Sequence, residues 1–292
     1  LPLEIVEAVD AQEEKTVVQP PPTLNALPRL DGLQILVVED NRINQMVAKA
    51  LLQRMGAQPT LLDDGLQAVE WLTERGEVFD AILMDVQMPV MDGYTATRAI
   101  RETLGFTRIP IIATTAHVME ADQQHSFEAG MNAHIGKPID ARVLADTLLE
   151  LVRSNPIPAT APLPEQSRPE PESPVTPTSS NWLDLQAALD KLDGDTDLYH
   201  AMVAVFIDEH ADDAQRIRQH LGQKAYPEAH RIAHTLKGLA GSLGLIRLQE
   251  AALAFDSAFK QQQLDLLPPL LLPLENELER AVQGLQAMQK NG

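Results

Sequence analysis

The sequence predicts two domains: an α/β unit built on a doubly wound, five-stranded parallel sheet, followed by an all-α helical bundle, joined by a proline-rich linker. Three observations carry this reading. Between residues 32 and 153, five short apolar runs alternate with stretches of helical periodicity, the pattern of a parallel sheet covered by helices on both faces. From 181 to 292, apolar residues recur only at helical spacing, as in a helical bundle. Residues 154–180 hold eight of the chain's 21 prolines and no aromatic residue, a composition that gives an extended, semi-rigid tether.

In the first unit, ILVV (35–38) is a buried strand that runs into Glu39 and Asp40. Ile43, Met46, Val47, Ala50 and Leu51 then recur at helical spacing. TLL (60–62) is the second strand, with a helix over 65–75, and AILM (81–84) is the third, ending at Asp85 with a helix from about Tyr94. IPIIAT (109–114), a helix near 122–129, HI (134–135) and a helix over 141–151 complete five strand-and-helix units. In the second unit, helices are expected near 183–189, 198–221, 227–243, 246–262 and 274–289. Residues 1–31 read as an incoming linker with a short amphipathic stretch at its start.

Composition narrows the function. The chain has 292 residues, of which 44% are hydrophobic and 22% charged, so two ordinary domains can each bury a core. Its lack of cysteine excludes disulfides, thiol nucleophiles and thiolate metal sites, and fits a reducing compartment. The net charge is −19 and no segment is basic, so nucleic-acid and membrane contact are not expected and the partners should be proteins or cations. The apolar run at 264–274 is broken by Asp265, Pro268, Pro269 and Pro273, too short and interrupted to span a membrane. No signal peptide is visible, and a start at Leu1 instead of Met marks a piece of a longer protein.

Ligands of parallel sheets bind at the carboxyl ends of the strands. The strand assignments bring Glu39, Asp40, Asp85, Thr115 and Lys137 to that one edge. Clustered carboxylates repel each other and favour a hard dication such as Mg²⁺, which takes a few protein oxygens together with water and phosphate. A lysine neutralises phosphoryl oxygens and a hydroxyl contacts one of them. The set suits phosphoryl transfer to a carboxylate. Asp85 is the best nucleophile, alone at the end of the central strand. A haloacid-dehalogenase type of enzyme would need a second aspartate two residues on as general acid; Gln87 stands there instead.

In the second unit, Ala229, Ile232, Ala233, Leu236, Leu239, Ala240 and Leu243 form the apolar stripe of one helix. His234 is expected almost opposite it, facing solvent with His230, Lys237, Gly238 and Gly241. Two glycines cost a helix about 1 kcal/mol each, so that face is expected to be kept low for an approaching protein. Lys237, one turn along, disfavours the imidazolium and keeps the ring neutral and nucleophilic. His210 and His220 are expected to be ordinary surface residues. A zinc site on His230 and His234 is disfavoured by the nearby cations and by Arg231, where a metalloprotease motif would need glutamate.

VVEDNRINQ, LMDVQMPVMDGY, IIATTAH and IGKPI resemble the response-regulator receiver family, in the variety attached to hybrid sensor kinases, with a flavodoxin-like fold. The resemblance implies that Asp85 is the phosphoacceptor, that Glu39, Asp40, Asp85 and the backbone carbonyl of Gln87 hold Mg²⁺, and that Lys137 contacts the acyl phosphate. It also implies that Thr115 is the switch hydroxyl and that the Lys137–Pro138 bond is cis, with His134 where the family has its switch aromatic. His234-Thr235-Leu236-Lys237-Gly238, followed by Ser242, Leu243 and Gly244, resembles the histidine-containing phosphotransfer (HPt) family and implies that His234 carries phosphate on Nε2. Together they resemble the C-terminal part of a bacterial hybrid sensor histidine kinase, on the cytoplasmic side of the inner membrane. Phosphate is then expected to pass from an upstream histidine kinase core to Asp85, to His234, and on to a downstream response regulator receiver. The chain has no glycine-rich nucleotide loop of its own. The competing class is a binding adaptor whose receiver is phosphorylated only to change its docking surface.

Overall fold

The computed structural model describes residues 28–76, 78–115, 120–153, 182–192 and 194–291. Most of the incoming segment and the 154–180 linker lie outside the described residues. The first domain alternates β1 (Gln34–Val38), α1 (Arg42–Arg54), β2 (Gln58–Leu62), α2 (Gly65–Arg75), β3 (Ala81–Asp85), α3 (Gly93–Arg98), β4 (Ile111–Thr115), α4 (Glu120–Glu128), β5 (Ala133–Gly136) and α5 (Ala141–Arg153). Its five strands pair in parallel in the order β2-β1-β3-β4-β5. Side chains alternate across β1: Ile35 and Val37 join the core under α1 and α5, while Leu36 and Val38 join the core under α2 and α3. Leu30 is also buried, its N–H donating to the Met55 carbonyl at 2.7 Å, so the packed domain starts slightly before the sequence reading places it.

The second domain is helical throughout: α6 (Leu185–Lys191), α7 (Thr196–His210), α8 (Asp213–Gly222), α9 (Tyr226–Leu243), α10 (Ile246–Lys260) and α11 (Leu267–Asn291). Two expectations are corrected. The helix expected over 198–221 is two helices that break at Ala211 and Asp212. The buried series Met202, Phe206, His210, Ala214 and Ile217 stays in phase across that break, which is why periodicity joins them. The last helix starts at Leu267, not Leu274. Pro268 and Pro269 sit in its first turn, where backbone N–H groups have no helical acceptor to lose, and Pro273 is accommodated inside it.

The helical domain is seated on α1 of the first domain. Arg54 Nη1 donates to the Leu192 carbonyl at 3.1 Å and Arg42 Nη1 lies 3.3 Å from Glu209 Oε1. One apolar cluster runs from beneath α1 and α5 into the bundle. α9 ends at Gly244, which takes the left-handed conformation (φ 73°) that closes a helix at little cost only for glycine. A Cβ there would lie 2.3 Å from the Asp184 carbonyl oxygen.

Candidate functional site

The parallel topology carries each sequence-predicted acid to one edge. Glu39 and Asp40 follow β1, Asp85 ends β3, Thr115 ends β4 and Lys137 follows β5. All five line one small cavity of about 40 Å³, together with Asn41, Asn44, Val86 and Gln87. Lys137 Nζ bridges Glu39 Oε2 at 2.6 Å and Asp85 Oδ2 at 2.7 Å. Asp85 Oδ1 accepts the Gln87 backbone N–H at 3.2 Å, and Glu39 Oε1 accepts from Asn44 Nδ2 at 2.8 Å. The peptide bond after Lys137 is cis.

Electrostatics show what the pocket lacks. Burial, reinforced by Asp85, pushes the Glu39 carboxyl up to about 8, and the same two causes push Asp40 up to about 6. Burial works against the Lys137 charge, but Asp85 and Glu39 more than offset it and hold the ammonium above its ordinary value. Three carboxyl groups that share one ammonium resist ionising together, and a dication among them would favour their charged forms. Oxygens of Glu39, Asp40 and Asp85 lie within 4.8 Å of one another, a hard, all-oxygen donor set that fits Mg²⁺. The cavity has room for an ion or a phosphoryl oxygen beside the three carboxyl groups.

His134 occupies β5 opposite Ala113. Its Nδ1 is buried with no hydrogen-bond partner among the described residues, and its ring meets Phe127 edge-on at 6.3 Å. Burial lowers its pKa, so the ring sits there neutral, as an aromatic.

His234 closes the cavity from the other domain, with Thr235 and Gly238 of α9 beside it. The expectation of a solvent-facing histidine is corrected here. His234 is half-buried and Lys237 and Gly241 are buried, because their face packs on α10 and is covered by the first domain. Gly241 does not serve partner access: a Cβ there would lie 2.7 Å from Gln249 Nε2 of α10, so its small size serves packing within the bundle. At Gly238 a Cβ would meet nothing within 4 Å. His210, expected at the surface, is buried between the domains.

The residue sequence reasoning missed is Asp256 of α10, fully buried. Its Oδ1 accepts from His234 Nδ1 at 2.7 Å and from His230 Nε2 at 2.8 Å, and its Oδ2 lies 3.0 Å from Lys237 Nζ and 3.4 Å from Lys260 Nζ. A signal was present: Leu248, Ala252 and Asp256 recur at i, i+4 and i+8, which puts a carboxylate on an apolar stripe. Burial opposes its charge, yet the two histidines and Lys237 hold the carboxyl far below the usual range. A carboxylate only accepts, so Nδ1 of His234 carries the hydrogen and Nε2 the lone pair. Burial, aided by Lys237, lowers the His234 pKa despite Asp256. The ring is therefore a neutral nucleophile held in one tautomer. His230, His234 and Asp256 also meet the spacing of a metal site, but the two ammonium groups on Asp256 already supply its counter-charge.

Residues 35–149 match the response regulator receiver domain family and residues 201–287 match the Hpt domain family. The sensor protein GacS of Pseudomonas syringae pv. syringae is 31% identical over 271 residues, covering 91% of this chain and 28% of GacS. The signal transduction histidine-protein kinase BarA of Escherichia coli (strain K12) is 31% identical over 252 residues, 85% of this chain and 26% of BarA. Among solved structures, the receiver domain of sensor histidine kinase PA1611 from Pseudomonas aeruginosa PAO1, with a magnesium ion in its active-site cleft, is 45% identical with a TM-score of 0.39, covering 42% of this chain and 99% of that one. The chain thus spans little more than a quarter of the length of GacS or BarA. Five parallel strands with an acid cluster at their carboxyl edge, a helical bundle presenting an aspartate-held histidine, and these two matches identify a phosphorelay module in which residues 35–149 belong to the response regulator receiver family and residues 201–287 to the Hpt family.

Proposed function

We propose that Asp85 takes a phosphoryl group from an upstream kinase phosphohistidine and passes it to His234 of the same chain, which passes it to the receiver of a separate response regulator. The observation that carries this is the shared cavity: Asp85 and His234, from different domains, line the same 40 Å³ space. In the first step an Asp85 carboxylate oxygen attacks phosphorus as the donor's N–P bond breaks. In the second, the His234 Nε2 lone pair attacks, the acyl O–P bond breaks and the electron pair returns to the carboxylate. The imidazole gains positive charge in that step, and Asp256 is placed to offset it. Lys137 neutralises charge on Asp85, and Thr115, which lines the same cavity, would offer its hydroxyl to a phosphoryl oxygen. Lys237 acts through Asp256, to which it is bonded.

Glu39, Asp40 and Asp85, with the Gln87 backbone carbonyl, would hold Mg²⁺. Bound there, the ion supplies charge stabilisation for in-line phosphoryl transfer. The reading places both domains in the bacterial cytoplasm, with the upstream kinase core in the same full-length protein, anchored at the inner membrane. Among the described residues no helix is long and apolar enough to cross a membrane.

Acetyl phosphate with Mg²⁺ tests this in the full chain. Wild type should carry base-labile acyl phosphate at Asp85 and acid-labile phosphate at His234; His234→Gln should carry only the former and Asp85→Asn neither. Wild-type label that stays wholly on Asp85 would favour the adaptor reading. An adaptor, however, gives no reason for a buried carboxylate to fix the His234 tautomer beside the phosphoacceptor.

A further inference from the structure

His210 ends α7 in a buried polar chain that the relay chemistry does not use. Its Nδ1 lies 2.8 Å from Asp213 Oδ2, and the other Asp213 oxygen takes Arg216 Nη1 at 2.6 Å. His210 is 8% and Asp213 1% exposed. Because the carboxylate can only accept, Nδ1 carries the hydrogen and Nε2 is left as an acceptor in the neutral ring. That nitrogen faces Asn41 Nδ2 across the domain boundary at 3.5 Å, the long end of hydrogen-bonding range. Asn41 itself is 8% exposed, and its Oδ1 is already used: it caps α1, accepting from the N–H groups of Ile43 at 3.0 Å and Asn44 at 3.2 Å. Its amide hydrogens are the groups left to face the helical domain.

Position makes this contact consequential. Asn41 directly follows Glu39 and Asp40, and Asn44 in the same turn bonds Glu39. A group that grips Asn41 therefore grips the segment carrying the receiver's acid pair. The flanking pair Arg42 and Glu209 is more exposed and gives general attraction, whereas a mismatched partner at Asn41 leaves a buried donor or acceptor unmade.

We propose that His210, locked by Asp213, is a specificity-determining residue of the step from receiver to HPt domain: it reads the Asn41 amide and so sets the register of Asp85 against His234. This rests on the relay assigned above. A receiver with no amide donor at the corresponding place docks on the helical domain without that bond, so the residue distinguishes the chain's own receiver from others that approach His234.

The test uses the full chain, loaded at Asp85 with acetyl phosphate and Mg²⁺ and then stripped of donor, while acid-labile phosphate at His234 is followed over time. Asn41→Ser keeps a helix-capping oxygen but cannot reach His210. It should slow transfer about five- to tenfold, the scale of one hydrogen bond, when the rate is taken per phosphorylated Asp85 so that any change in loading is divided out. His210→Ala should slow it equally, the double variant no further than either single, and His210→Gln should recover part of the rate because its side-chain oxygen can accept. Wild-type transfer in Asn41→Ser would overturn the proposal, even if His210→Ala failed to fold. So would a double variant slowed by the product of the two single effects. Wild-type chain that loads Asp85 and never His234 would overturn the relay itself, a distinct result from the same gel.

Discussion

Replacing Asp256 with asparagine preserves its shape and removes its charge, which makes it the sharpest probe of the helical domain. One Asp256 oxygen takes both imidazole N–H groups and the other faces the Lys237 and Lys260 ammonium groups. An amide can replace the first oxygen, but its NH₂ then points at two cations and offers them nothing to bond. The Lys237 side chain, only 7% exposed, loses its counter-charge. Breaking a buried pair by removing one partner costs about 3–5 kcal/mol. Lys260 is partly exposed and its share is screened, so a loss of about 3 kcal/mol is expected in urea denaturation followed by circular dichroism. The chemical effect is separate. A hydrogen bond to a charged group contributes about 1.5–3 kcal/mol. If that is lost from the transition state, in which the ring becomes cationic, His234 loading falls about ten- to a hundredfold at about 1.36 kcal/mol per decade. Asp256→Asn that unfolds at the wild-type urea midpoint and loads His234 at the wild-type rate would refute both halves of the argument.

Three further outcomes are expected. Loading of His234 should hold on acidification until below the ordinary imidazole value of about 6.5, because burial and Lys237 depress the His234 pKa. Lys237→Met removes a cation and should move that acid limb to higher pH, while Asp256→Asn removes an anion and should move it lower. Rates taken relative to wild type at each pH cancel the receiver's own titrations, and coincident limbs would sink the assignment. Transfer from Asp85 to His234 should be first order and unchanged over a hundredfold dilution of the chain, since both groups line one cavity; a rate proportional to concentration would place the step between chains. Gly244→Ala should destabilise the helical domain by about 1–3 kcal/mol, through its positive φ and the close Asp184 carbonyl, with calorimetry as the measure.

The receiver half of the site is legible because short continuous apolar runs mark buried strands and parallel topology dictates where their ends lie. Once 35–38, 81–84 and 109–114 read as strands, the convergence of Glu39, Asp40, Asp85 and Thr115 followed. The helical half was only partly legible. The His234 face could be read from one helix, but what covers it depends on α10 and on the first domain, which no single helical wheel contains. The burial of His210 is hidden from the sequence for the same reason, although it stands in phase with Met202 and Phe206. The neighbour of Gly241 is equally hidden, since a small residue signals close approach without naming the approaching group. The break between α7 and α8 left no trace because the apolar stripe crosses it in phase.

The docked arrangement also constrains how the relay can end. In the proposed relay, the face of α9 that meets the chain's own receiver is the face that a second receiver would reach to take phosphate from Nε2 of His234, so the two could not be seated together. Covalent linkage of the two domains through a segment of this length would hold them at an effective concentration on the order of millimolar. A contact of about 0.1 mM intrinsic dissociation constant would then be about nine-tenths closed, and an outside receiver would meet an apparent affinity weakened about tenfold. A nanomolar contact would shut the output almost completely. The polar contacts at the boundary match the weaker case, with Arg42 on Glu209, Arg54 on a backbone carbonyl and a long Asn41–His210 bond, whereas the apolar cluster that continues across the boundary favours closure. Both domains carry net negative charge, which opposes tight closure further. A relay domain that must serve an inward and an outward partner through one histidine needs an internal contact selective enough to align Asp85 and weak enough to release it.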